Sequence, residues 1–287
     1  MIVFPDNRLV RGARDIVRRL REHGYQAFFV GGAVRDCLLG LPVKDIDIAT
    51  DARPERVQQL FPRTYGVGMA FGIVVVVQEG GNYEVAAFRE ERDYCDGRHP
   101  ETVCYAASPQ PDAARRDFTV NAMFADPFTG EILDFFDGQG DLRRGLLRTV
   151  GDPDTRFRED YLRLLRAVRF AVRFRFDLAA DLTTAVKRYA GRAARLSPER
   201  IREELNAMLT GPDPAAALVL LRELELLPAV LPEVAATAGV TQPPEYHPEG
   251  DVFAHTVLML RHMAIPSVEL AWSILLHDIG KVPARTM

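Results

Sequence analysis

The sequence predicts an α+β protein, in which a mixed-sheet head of about 140 residues precedes an all-helical remainder. Three features carry that reading. Short apolar runs bounded by glycine turns recur early, an alternating pattern flanks Glu79-Gly80-Gly81-Asn82, and only helical periodicity persists beyond Asp141.

Val10, Ala13, Val17 and Leu20 recur at helical spacing before Gly24, which predicts an opening helix. Ala27 to Val30 is an apolar run ending in Gly31-Gly32, and Ala33 to Leu39 reads as a short helix closed by Gly40. Asp45 to Ala49 alternates acidic and apolar residues with the period of a strand, and Thr50 to Pro54 leads into a helix ending near Phe61. Ile73 to Gln78 and Tyr83 to Phe88 form a predicted hairpin. Arg89 to Ala114 has no clean periodicity and carries three prolines, so a long mobile loop is expected there. Leu162–Val172, Leu182–Tyr189, Pro198–Leu209, Pro214–Leu224 and Val257–His262 read as helices.

A chain of 287 residues suits two or three domains, at roughly 100 to 200 residues each. Its 47% hydrophobic and 26% charged residues are globular averages and disfavour a disordered or membrane class. Met1 to Arg11 carries no apolar leader, and no run approaches the roughly 18 apolar residues of a spanning helix. Cys37, Cys95 and Cys104 have no metal-site spacing and are expected to be free thiols of a cytoplasmic protein. A net charge of −4 argues against a uniformly basic coat for nucleic acid. Locally, Arg156, Arg158, Arg163, Arg166, Arg169, Arg173 and Arg175 face only Glu159 and Asp160 in opposition, a candidate phosphate-binding surface.

Asp45 and Asp47 stand two apart on a predicted strand, which projects both carboxylates to one face. Nucleotidyl transfer needs hard oxygen ligands for a cation such as magnesium, and Glu84 on the later hairpin is the third candidate acid. Taken alone, the pair is equally compatible with solvated strand-edge acids. Gly31-Gly32, entering a helix, offers backbone N–H groups to a phosphate, although the same residues suit an ordinary tight turn. Arg35 either adds a guanidinium there or pairs with Asp36.

Together, "GGAVRDCLLGLPVKDIDIAT", "ARRDFTVNAMF", "DFFDGQGDL" and "REDYLRLLRAVRF" resemble, in order, the class II tRNA nucleotidyltransferase and bacterial poly(A) polymerase family, and "SPERIREEL" is similar to a later family helix. The resemblance runs from about Phe28 to Leu209. It implies a nucleotidyltransferase head over 1–140, a helical neck and RNA-binding region over 141–240, and an incomplete HD domain over 241–287. Asp45 and Asp47 fall on the family's metal-binding acids and Glu84 on the associated carboxylate; Arg115, Arg116, Asp117 and Asn121 fall on the motif that contacts the nucleotide's sugar and phosphates. Asp117 also suits a helix cap.

Asp160 and Arg163, three apart on a predicted helix, are expected to lie side by side. Cytosine and adenine both present an amino donor beside an unprotonated ring nitrogen, so a carboxylate next to a guanidinium suits both. On spacing alone an intrahelical salt bridge is favoured; the resemblance implies nucleotide choice. Arg166 either assists orientation or belongs to the basic surface.

"HPEGDVFAHT" and "HDIGK" resemble the start of an HD domain, whose His255, His277 and Asp278, with His247 nearby, suit a divalent metal. The family's HD domain continues for several helices and supplies a later Asp, so a working phosphohydrolase site is not expected here, and an apolar stub without partner helices is expected to bury its face poorly. The implied activity is CCA addition to tRNA 3′ ends from CTP and ATP with Mg2+, without a membrane or an obligate protein partner. The rivals are an A-adding enzyme and a poly(A) polymerase, then an HD phosphohydrolase and a non-catalytic RNA-binding protein. "GVGMAFGIVVV" and "EVAAFREERDYCDGRHP" lean toward the CCA- and A-adding members.

Overall fold

The computed structural model describes residues 1–66, 72–94 and 100–282. Cys95 and parts of the two stretches that lean toward CCA- and A-adding members lie outside them. The chain forms two compact units, Met1–Asp152 and the residues from Pro153 onward.

In the first unit, α1 (Arg8–Glu22) leads to β1 (Ala27–Val30), α2 (Gly32–Leu38), β2 (Asp47–Thr50), α3 (Pro54–Leu60), β3 (Thr64–Tyr65), β4 (Ile73–Gln78) and β5 (Gly81–Ala87). Then come β6 (Arg89–Tyr94), β7 (Pro100–Tyr105), α4 (Pro109–Ala114), β8 (Met123–Ala125), β9 (Ile132–Asp134) and α5 (Gly138–Arg144). Seven strands form one mixed sheet in the order β3-β4-β5-β2-β1-β8-β9. β1 runs antiparallel to β2 and β8, whereas β2 runs parallel to β5.

Because side chains alternate across a sheet, the two faces acquire different cores. Phe29, Ile48, Tyr83 and Val85 pack with α1 residues Val10, Ala13, Ile16 and Val17 on one face. Val30, Ala49, Phe88 and Phe124 pack with Ala113 of α4 on the other. Asp47 and Glu84, one residue before Ile48 and Val85, are thereby turned toward the second face.

The expected loop over Arg89–Ala114 is not one. β6 and β7 pair antiparallel, with Arg89 opposite Tyr105 and Tyr94 opposite Pro100, and α4 follows. "REERDY" has no apolar face to announce a strand, although β6 and β7 pair through main-chain hydrogen bonds.

The second unit comprises α6 (Pro153–Glu159), α7 (Leu162–Phe174), α8 (Ala180–Tyr189), α9 (Pro198–Leu209), α10 (Pro214–Glu223), α11 (Leu227–Val230), α12 (Pro232–Ala235), α13 (Val252–Arg261) and α14 (Val268–Leu276). α7 packs on α9 and α10, α10 receives α13, and α14 touches α13 and α9. The last helices are better buried than expected. α13 buries Val252, Phe253, Val257 and Leu260, α14 buries Ala271, Ile274 and Leu275, and Trp272 Nε1 donates to Asn206 Oδ1 at 2.7 Å. Leu270 and Leu276 stay exposed. Among the described residues, no helix is long and apolar enough to cross a membrane.

The strand carrying Glu84 is seated by α1. Tyr83, fully buried, donates its hydroxyl to the Leu9 carbonyl at 2.9 Å, and a Cβ on Gly12 would collide with that hydroxyl and with the Glu79 carbonyl. Gly12→Ala should therefore lower the melting temperature although alanine gains about 1 kcal/mol of helix propensity. Tyr83→Phe should lose about 1 kcal/mol in urea unfolding; an alanine variant as stable as the parent would contradict this seating.

Candidate functional site

β2 begins at Asp47 because its partner ends there: Val30 pairs with Asp47, and Gly31, at φ 68°, turns the chain out of the sheet. Asp45 therefore lies ahead of the strand, exposed, rather than on it with Asp47 as the alternation predicted. Glu84 is the fourth residue of β5, which begins at Gly81 rather than at Tyr83 because the turn is confined to Glu79-Gly80. The parallel register, Ile48 beside Val85, sets Glu84 next to Asp47.

The acids feel one another. Burial, then Glu84 and Asp45, push the Asp47 pKa up to about 6, and Arg116 opposes the rise. Hard oxygen donors under mutual repulsion suit a divalent cation, whose charge would offset both effects.

Gly31 donates its N–H to the Met123 carbonyl at 3.2 Å, so that amide serves the sheet and Gly32 opens the seven-residue α2. A Cβ on Gly31 would stand 3.1 Å from Arg116 Nη1. Arg35 is buried; it pairs with Asp36 at 2.7 Å and donates to Asn121 Oδ1, whose own amide donates to Asp117 Oδ1 at 3.0 Å. Asp117 also accepts from Phe118 N at 2.8 Å. Arg35, Asn121 and Asp117 thus form one buried polar network beneath the glycine turn. Arg115 and Arg116 both reach Asp112, an acid that sequence reasoning passed over although its i,i+3 and i,i+4 spacing was the signal.

In the helical unit, Asp160 and Arg163 are not paired neighbours on one helix, as their spacing predicted. The helix breaks between Glu159 and Leu162. The Asp160 carboxylate caps Leu162 N at 3.0 Å and takes two bonds from Arg200 of α9, at 3.0 and 2.7 Å, while Arg163 pairs with Glu159 at 2.5 Å. The guanidinium of Arg166 lies 5.1 Å from the Phe170 ring centroid, and Arg169 pairs with Glu204 at 2.7 Å. Part of the expected basic surface is thereby neutralised within the unit.

The histidines converge. His247, Glu249 and His255 form one group of potential metal donors, and His255, His277 and Asp278 form another. Glu249, which nothing in the sequence pattern singles out, accepts from His247 at 3.1 Å and His255 at 2.5 Å. A hydrogen bond from its own backbone and those two imidazoles hold its pKa at about 2.

Residues 27–148 match the family described as "Poly A polymerase head domain", and 175–237 match "Probable RNA and SrmB- binding site of polymerase A". The chain is 44% identical over 273 residues to a CCA-adding enzyme of Geobacillus thermodenitrificans, covering 95% of this chain and 64% of that protein. With that of Geobacillus kaustophilus it shares 49% over 224 residues, 78% of this chain and 55% of that one. The chain thus spans less than two thirds of the length of these curated relatives. The crystal structure of the Bacillus stearothermophilus CCA-adding enzyme in complex with CTP superposes with a TM-score of 0.75 at 37% identity, over 96% of this chain and 71% of that one. Matched over head and helical unit alike, the chain belongs to the family of CCA-adding tRNA nucleotidyltransferases and bacterial poly(A) polymerases.

Proposed function

We propose that the chain adds C, C and A to tRNA 3′ ends from CTP and ATP, without a nucleic-acid template, releasing pyrophosphate in the cytoplasm. The observation that most supports this is the crowding of Asp45 and Glu84 on Asp47, with Arg116 and the Gly31-Gly32 turn alongside. The division of labour is a head over 1–140, a neck and RNA-binding region over 141–240 and the start of an HD domain over 241–287.

Asp45 and Asp47, with Glu84 beside them, would hold magnesium, which when bound would neutralise the triphosphate and lower the pKa of the attacking hydroxyl. Arg115 and Arg116 take the phosphates by charge-assisted hydrogen bonds, with Gly32 N–H at the turn. The Gly31 backbone allows Arg116 to approach. Arg35 locks Asn121, and Asn121 orients Asp117, which accepts from a ribose hydroxyl. The 3′ hydroxyl gives up its proton to solvent as its oxygen bonds to the α-phosphorus, the bond to the bridging oxygen breaks, and pyrophosphate leaves with that electron pair.

Asp160 and Arg163 read the base. Of the roughly four lone-pair positions of a carboxylate, Leu162 N and Arg200 take three on Asp160. The remaining position accepts from the amino group that cytosine and adenine share, while Arg163 donates to the ring nitrogen and Arg166 assists. The grouped donors of His247, Glu249, His255, His277 and Asp278 could hold a divalent metal, the observation behind the alternative phosphohydrolase reading.

Single-nucleotide extension with magnesium, offering each NTP separately to tRNA lacking CCA, to tRNA ending in CC and to an unrelated RNA, tests the reading. Two C additions followed by one A, confined to tRNA, are expected. A alone would indicate an A-adding enzyme, long A tails a poly(A) polymerase, and phosphoester hydrolysis without incorporation the histidine site.

Asp47 carries a sign-definite pH dependence. Its raised pKa means that folding costs nothing extra below pH 4, and that the penalty accrues as pH rises through about 6. Asp47→Asn should therefore melt higher than the parent at pH 8 but not at pH 4, and should lose the stabilisation that magnesium gives the parent. A variant less stable at pH 8, or still stabilised by magnesium, would refute the assignment.

Arg163→Ala should admit UTP or GTP while leaving total incorporation within about tenfold, read from the same extension assay. Unchanged preference for C and A would reduce Arg163 to a partner of Glu159.

A further inference from the structure

We infer that Asp112 is a positioning residue for the reaction: its carboxylate holds the Arg115 and Arg116 guanidiniums together and aims Arg116 at the triphosphate. This rests on the proposed contact between those arginines and the nucleotide.

Asp112 is 1% exposed, in the first turn of the short helix α4. Its Oδ1 accepts from Arg115 Nε at 2.9 Å and Nη2 at 2.7 Å, and its Oδ2 accepts from Arg116 Nη2 at 3.0 Å. A carboxylate buried so deeply is costly unless fully paired, and here the pairing is with two cations at once. Burial works to raise its pKa, but Arg116 and then Arg115 outweigh it and hold the group below the usual carboxylate range. Asp112 is thus a fixed negative charge between two guanidiniums that would otherwise repel each other.

The consequence falls on Arg116. With Nη2 on Asp112, Nη1 lies 3.5 Å from the Asn121 carbonyl, and the guanidinium stands 5.4 Å from the Phe124 ring centroid. Its buried Nε has no hydrogen-bond partner among the described residues. The guanidinium is therefore pinned beside Gly31 and close enough to Asp47 to oppose the rise of its pKa. Asp112 itself is buried with its carboxylate bonded to the two arginines, so it acts through them. Pre-orientation of this kind moves the cost of ordering a long side chain from nucleotide binding to folding.

A merely structural Asp112 would change stability and leave nucleotide affinity untouched in the folded fraction. The test is calorimetric titration of the full chain with CTP and with ATP, for the parent, Asp112→Asn, Arg116→Ala, Arg116→Lys and the Asp112→Asn/Arg116→Ala double variant, with circular dichroism to verify folding. Asp112→Asn is expected to weaken both nucleotides equally, by about tenfold, and to cost far less once Arg116 is already alanine. Arg116→Lys keeps the charge without the planar fork and should also weaken binding.

If Arg116→Ala leaves affinity unchanged, the nucleotide-contact reading itself fails. If Arg116→Ala weakens binding but Asp112→Asn does not, or the two losses multiply in the double variant, the positioning inference is overturned and the contact reading stands. Should Asp112→Asn fail to fold, Arg116→Lys decides: parental affinity in that variant would show that the fork held by Asp112 is not needed.

Discussion

Everything in the head is arranged around a repulsion. The parallel register of β2 and β5 sets Glu84 beside Asp47, Asp45 adds a third carboxylate from the preceding loop, and burial compounds the cost. A pKa near 6 for an aspartate is a stability penalty of roughly 2 to 3 kcal/mol at neutral pH. Such a penalty is expected where a site is built for a ligand that the polypeptide alone does not supply. The apolar layers on both sides of the sheet hold the acids together against it.

The positive counterpart is organised differently. Arg35 is spent on Asp36 and Asn121 inside the network that orients Asp117, whereas Arg115 and Arg116, both half-buried, are gathered by Asp112. One arginine therefore holds the frame and two are gathered on a single carboxylate, a distinction invisible in the sequence stretches that carry them. In the helical unit, Arg200 and Glu159 engage Asp160 and Arg163 in the same way, each charged residue steadied by an opposite one. Base recognition at that pair would use a remaining acceptor position on Asp160, rather than a vacant salt bridge.

Legibility in the sequence followed burial. The strand Ala27–Val30 and the turn after it were readable because an apolar run met a glycine that must take a positive φ, and the order of head and helices followed from periodicity. The hairpin of β6 and β7 was not, because β6 carries charge where a core-facing strand carries apolar side chains. The limits of β2 depended on where β1 ends, a tertiary fact, so Asp45 was read onto a strand that does not reach it. Asp112, Glu249 and Arg200 escaped for a common reason. Each is charged, each looks like ordinary surface in the sequence, and its role exists only through the partners that folding brings to it.

The central claim, that Asp47 is held in a destabilised state that a cation relieves, is tested most directly by measuring its carboxyl pKa by carbon NMR with and without magnesium. A value near 6 in the free protein, falling well below 4 when magnesium is present, is the result this structure predicts. A value near 4 in the free protein, unmoved by magnesium, would contradict it.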